Sequence, residues 1–213
     1  MHLAAPAIVC AVRAHGEAGT IVRLMTEEQG LLAGYVPGGK GRAMRPVLIA
    51  GNSVDAEVRA RPGSQLPGMR VELMASRAPW LAEPLPAAAI GWATALTALA
   101  LPERHAYPAL HAALGALLDA VCHAPSARGW VPGMIGFEAL LLRELGHGEP
   151  PWREALAEDG TWAGMLGVFD RMGKRLARYP LADRRGDVMG ARAVLRERLG
   201  RIDGGPGYGN TFS

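Results

Sequence analysis

Ala7-Ile-Val-Cys-Ala-Val-Arg13, His15-Gly-Glu-Ala-Gly19, Thr20-Ile-Val-Arg-Leu-Met-Thr26 and Leu31-Leu-Ala-Gly-Tyr-Val36 follow one another near the start of the chain. The first, third and fourth runs favour extended backbone, and the second has the composition of a hairpin turn. Glu28-Gln29-Gly30 supplies the next turn. Beyond Val36 lies a glycine-rich basic loop from Pro37 to Arg42. Arg45–Ala50 is expected to continue the strand pair, and Gly51-Asn52 to turn. Ser53–Arg59 and Arg70–Ser76 are expected as strands from their apolar–polar alternation, with a loop over Pro62–Gly68. About five short strands with tight turns predict a small closed or partly open barrel, for which the OB-fold is the leading candidate.

After Arg77 the pattern becomes helical, with Pro79 and Glu83-Pro84 at the junction. Helices are expected over Pro86–Leu101, Pro108–His123, Pro132–Leu145, Thr161–Arg178 and Asp187–Ile202, several with proline near the start. The fold class is therefore α+β: a five-stranded OB-fold barrel over residues 1–78, an all-α helical domain over 79–203 and a flexible glycine-rich tail over 204–213. Pro84 to Pro102 carries no charged residue. Its alanines and the stripe Leu85, Trp92, Leu96 and Leu99 predict an interior helix rather than a membrane span.

The formal charge of +3 is unevenly spread. Met1–Ala78 has nine Arg and Lys against six Asp and Glu; Pro79–Asp170 has four against ten; Arg171–Ser213 has ten against four. A basic front and back suit a polyanion, and the acidic middle a different partner. The only cysteines, Cys10 and Cys122, are far apart, which excludes a disulfide framework or a cysteine zinc site and makes a reducing cytoplasm the default. No Lys or Arg precedes Arg13, so no signal peptide is expected.

No catalytic constellation emerges. Gly34 to Lys40 fits the first seven positions of a phosphate-binding P-loop, but Gly41 replaces the Ser or Thr that holds magnesium, and no helix is predicted to follow. A flexible cationic hairpin tip is the preferred reading. The six histidines are scattered without a metal-binding spacing, so neither metal nor cofactor is expected. Candidate phosphate contacts are Arg13, Arg23, Lys40, Arg42, Arg45 and Arg59, with Arg61 and Arg70 beside them. Tyr35 is the only aromatic of the barrel region, which argues for phosphate contact over base stacking. Two further basic groups, Arg171, Lys174, Arg175 and Arg178, and Arg192, Arg196 and Arg198, are equally consistent with a solvated face.

Several of these segments resemble, in order, the RecO DNA-repair family: Ala7–Arg13, His15-Gly-Glu17, Thr20–Arg23, the loop through Lys40, Arg45-Pro46 and, in the helical part, Glu83-Pro-Leu85, Leu101-Pro-Glu103, Pro108-Ala-Leu110 and Phe137–Gly146. The resemblance implies an OB-fold, a helical domain and a non-catalytic recombination mediator of the RecF pathway type. Such a protein binds single- and double-stranded DNA, anneals complementary strands, works with RecR, and helps load RecA on DNA coated by single-stranded DNA-binding protein. A cytoplasmic, nucleoid-associated protein without membrane contact is implied. Many members of the family carry a cysteine-bearing, often zinc-binding insert after the Phe-Glu helix. Here Gly148-Glu-Pro-Pro-Trp-Arg153 follows directly and no cysteine lies beyond Cys122, so zinc binding is not carried over. The rival readings are an OB-fold module for RNA, a protein adaptor, and an enzyme using nucleotides at Gly34–Lys40.

Overall fold

A computed structural model of the chain describes residues 2–59, 66–182 and 188–202. Arg61, most of the expected 62–68 loop and the glycine-rich tail lie outside the described residues. Five strands, β1 (His2–His15), β2 (Gly19–Thr26), β3 (Gly30–Val36), β4 (Ser53–Arg59) and β5 (Gly68–Ala75), close into a barrel in the order β1-β2-β3-β5-β4. This is the five-stranded Greek-key barrel of an OB-fold. Strand β1 is long enough to serve two neighbours, pairing β4 through His2–Ile8 and β2 through Ala7–His15. A register shift between Val9 and Ala11 bends it from one to the other. The closing seam is short: among the described residues β3 and β5 pair in parallel at one position, Tyr35 with Gly68.

Alternate side chains fill the barrel, among them Val9, Val22, Leu24, Leu32, Val54, Val58 and Val71. Their neighbours Ile8, Cys10, Met25 and Leu31 point the other way and are equally buried, in the core of the helical part. The uninterrupted apolar run at Ala7–Cys10 is thus the signature of a strand covered on both faces. Burial pushes the Cys10 thiol up to about 12, so it packs as a small apolar group.

Residues 45–50 do not form the expected strand. Leu48 N–H donates to Met44 O (2.9 Å), Val47 N–H to Met44 O (3.1 Å), and Pro46 has no N–H for a ladder. The fully buried Asn52 holds the segment in place: its amide donates to the carbonyls of Pro46 (2.9 Å) and Val47 (3.1 Å), while its Oδ1 accepts from Arg77 N–H (2.8 Å). Met44, Val47 and Leu48 turn inward and plug one end of the barrel.

Among the described residues six α-helices follow: α1 (Pro84–Ala100), α2 (Pro108–His123), α3 (Val131–Glu144), α4 (Trp152–Glu158), α5 (Trp162–Arg178) and α6 (Val188–Gly200). Five lie where the sequence pattern puts them. The short α4 does not, because Pro150-Pro151 ahead of it reads as a break. Helix α1 is interior, with Ile90, Trp92, Ala93 and Leu96 fully buried. Its threonines are accommodated there because Thr94 and Thr97 donate to the carbonyls of Ile90 and Ala93, each at 2.8 Å. Among the described residues no helix is long and apolar enough to cross a membrane.

One ionic centre joins four of these helices. Glu138 of α3, with no exposed surface, accepts two hydrogen bonds from Arg192 of α6 (2.9 and 2.8 Å) and one from Trp92 Nε1 of α1 (2.7 Å). The guanidinium also donates to Phe169 O of α5 (2.5 Å) and lies 3.6 Å from the centre of the Phe169 ring. Truncating one partner of such a pair strands a buried charge. Glu138→Ala is therefore expected to lower the unfolding free energy in urea by about 3–5 kcal/mol, and Glu138→Leu with Arg192→Met to recover much of that loss.

Candidate nucleic-acid interface

The six candidate cations fall into three places. Lys40, Arg42 and Arg45 belong to the loop between β3 and β4, and all three are exposed. The loop is folded against the β1–β2 turn rather than projecting as a hairpin tip. Lys40 N–H donates to Ala18 O (3.1 Å) and Lys40 Nζ to Gly16 O (2.5 Å). Lys40 and Arg45 share a shallow depression with Val12, Ala14 and Thr20, where the ends of β1 and β2 run past the barrel interior. The P-loop-like segment has no phosphate-cradling geometry: Gly34 lies within β3, and turns, not a helix, follow Lys40.

Arg13 is exposed on the opposite face of β1, since it pairs with Ile21 while Val12 pairs with Val22 of the barrel interior. The register continues that row: Ile21 pairs with Tyr35, Tyr35 with Gly68, and Gly68 with Arg59. Arg13 and Arg59 thus flank a row crossing β2, β3 and β5. Arg59 is ion-paired with Glu57 (2.8 Å) and Arg70 with Glu72 (3.1 Å), all on the barrel surface.

Arg23 occupies a third place, against the helical part. Its guanidinium donates to Ala98 O of α1 and to Glu103 Oε1 (2.6 Å) in the loop after α1. That loop lies along β3: Arg104 N–H donates to Leu31 O (2.9 Å), and Glu103 bridges to Leu31 in parallel fashion. Gly30, at φ +65, is pressed so close to the His105 carbonyl that any Cβ would collide with it. Here a side chain is excluded twice, by the backbone conformation and by the neighbour.

The C-terminal arginines separate in the same way. Arg192 is the buried ligand of Glu138, Arg196 is paired with Asp170 (2.7 Å), and Arg198 donates to Pro84 O. They stitch α6 to the bundle. On α5, Arg171, Lys174 and Arg178 are exposed, whereas Arg175 is half-buried and donates to His147 O (3.1 Å). Sequence reasoning also passed over Arg77. Its buried side chain binds Gly51 O, Ser53 Oγ (3.2 Å) and Asp119 Oδ1 (2.6 Å), joining the β4 start to α2.

Residues 1–77 match the family model described as Recombination protein O N terminal. A DNA repair protein RecO of Phenylobacterium zucineum is 37% identical over 182 residues, covering 84% of this chain and 73% of the relative. The chain belongs to the RecO family of DNA repair proteins. RecO of Jannaschia sp. is 41% identical over 145 residues, 68% of this chain and 58% of that relative, and RecO of Rhizobium johnstonii is 40% identical over 183 residues, 84% and 69%. The matched region is thus little more than half the length of the Jannaschia protein. A role in DNA repair and recombination follows from membership in the RecO family.

Because Arg23 is engaged by α1 and Glu103, its removal should be read in stability. Arg23→Gln is expected to lower the unfolding free energy by about 1–2 kcal/mol.

Proposed function

We propose that this protein is a non-catalytic recombination mediator that binds single- and double-stranded DNA chiefly through phosphate contacts of the β3–β4 loop. The observation that carries the reading is the group Lys40, Arg42 and Arg45. They are exposed on a loop that is itself pinned by Asn52 and the β1–β2 turn, and no ion pair engages any of the three among the described residues. Cations held so need little ordering when a polyanion arrives, and each phosphate they neutralise releases counterions. Such contacts carry no sequence information, which suits a protein that must act on any damaged sequence.

Annealing follows from the same chemistry: two strands repel through their phosphates, and a cationic surface that holds both lowers that repulsion. The RecO resemblance extends the reading to partners. These are RecR, single-stranded DNA-binding protein on the coated strand and RecA as the protein finally loaded, all met in the cytoplasm at the nucleoid. The helical part, acidic between Pro79 and Asp170, is the proposed docking portion for proteins.

Fluorescence anisotropy on labelled single strands and duplexes at two salt concentrations tests the core of this reading. Lys40→Ala with Arg42→Ala and Arg45→Ala should weaken both forms and reduce the slope of log affinity against log salt by about two units. Unchanged affinity and slope would remove the loop from the DNA interface. Annealing of complementary strands precoated with single-stranded DNA-binding protein should fall in parallel.

A further inference from the structure

We propose that the seam between β3 and β5 is a nucleobase-binding subsite in which a single-stranded base stacks on Tyr35 while neighbouring phosphates meet Arg59, Arg70 and Arg13. The proposal rests on the DNA-binding reading above and adds a contact that distinguishes unpaired from paired strands.

Among the described residues the ladder between β3 and β5 is a single pair, Tyr35 with Gly68, and Tyr35 N–H donates to Pro67 O (2.8 Å). Beside this single bridge lies a cleft of about 490 Å³. Its apolar side is formed by Tyr35 and Leu66, its floor by Gly68, and its polar side by Arg59, Arg70 and Glu57. The volume falls within the ordinary range for small-ligand pockets, and a flat apolar wall opposite cationic groups suits an aromatic ring that carries a phosphate.

The ring of Tyr35 is held for that purpose. A Cβ at Gly19 would collide with it, so the ring lies directly on the Gly19 backbone, and His15 meets it edge-on at 6.0 Å between centres. A ring supported on one side stacks with little loss of freedom. The cross-strand row then gives a path: Arg13, Ile21, Tyr35, Gly68 and Arg59 succeed one another across the barrel, with a cation at each end and apolar or small residues between. The carboxylates of Glu57 and Glu72 hold Arg59 and Arg70 in exposed pairs, which are weak and can be exchanged for phosphate. Asp55, Glu57, Arg70 and Glu72 line an adjoining, more acidic hollow, which bounds the path on that side. Duplex DNA keeps its bases stacked inside and cannot use the Tyr35 face.

The test uses the full chain and two labelled probes, a short oligothymidylate and a duplex of equal length. Tyr35→Leu removes the stacking face. Gly68→Val fills the cleft from its floor, where a Cβ would find, among the described residues, only Arg59 O, at 3.9 Å, and where a β-branched residue suits the strand. Each should weaken oligothymidylate binding about tenfold, the size of one lost base–aromatic stack. Duplex affinity and salt slope should stay at the wild-type level, and Tyr35→Phe should retain single-strand affinity. Unaltered oligothymidylate affinity in both variants, or equal losses for both probes, would overturn the subsite while leaving phosphate binding standing. A wild-type protein that bound neither probe at low salt would overturn both readings.

Discussion

Part of the outer face of β1, β2 and β3 is buried against the helices, and the rest of the molecule is arranged around that contact. Ile8, Cys10, Met25 and Leu31 belong to the same apolar core as Ile90, Trp92 and Leu96 of α1, so the strands that build the barrel also form one wall of the bundle. Burial of such side chains is worth about 1.5–3 kcal/mol each, which makes this face the strongest single reason for the two parts to stay together. Polar contacts at its rim set the orientation. Arg23 reaches Ala98 and Glu103, Arg77 reaches Asp119, and the backbone of Leu31 receives Arg104 N–H. On the barrel, the helices leave uncovered the plugged end with its basic loop and the cleft beside the β3–β5 seam.

That division decides which positive charges are available. Arg77 and Arg192 are buried, and Arg23 and Arg196 are tied to carboxylates of other elements, so all four join elements of the fold. Lys40, Arg42, Arg45 and Arg13 are exposed on the barrel, and Arg171, Lys174 and Arg178 on α5. The formal charge of the chain is therefore a poor guide to its surface. Arg192, committed to the buried carboxylate of Glu138, contributes to the sum but offers nothing to a phosphate.

Much of this was legible in the sequence, and the exceptions have physical causes. The bounds of β4 and α2 coincide with Ser53–Arg59 and Pro108–His123, because alternation and a proline start are local signals. Arg45–Ala50 misleads because an apolar run reads alike whether it joins a ladder or plugs a barrel. The decision is made by the Asn52 side chain, which captures two carbonyls that a strand would need. Arg23 and Arg192 could not be told from surface arginines, since their carboxylates lie 80 and 54 residues away. Tyr35, as the lone aromatic of the barrel region, argues against stacking when counted; in three dimensions the cleft beside the seam and the Gly19 backbone give that one ring a defined place.

Hydrogen–deuterium exchange of the whole protein with and without single-stranded DNA tests the central claim most directly, because it asks where the polyanion lands without altering a residue. Slowed exchange is expected over the β1–β2 turn at residues 14–20, the loop at 37–48 and the seam around Tyr35 and Gly68, with α5 unchanged. Protection confined to the Arg171, Lys174 and Arg178 face of α5, with the barrel unaffected, would contradict it.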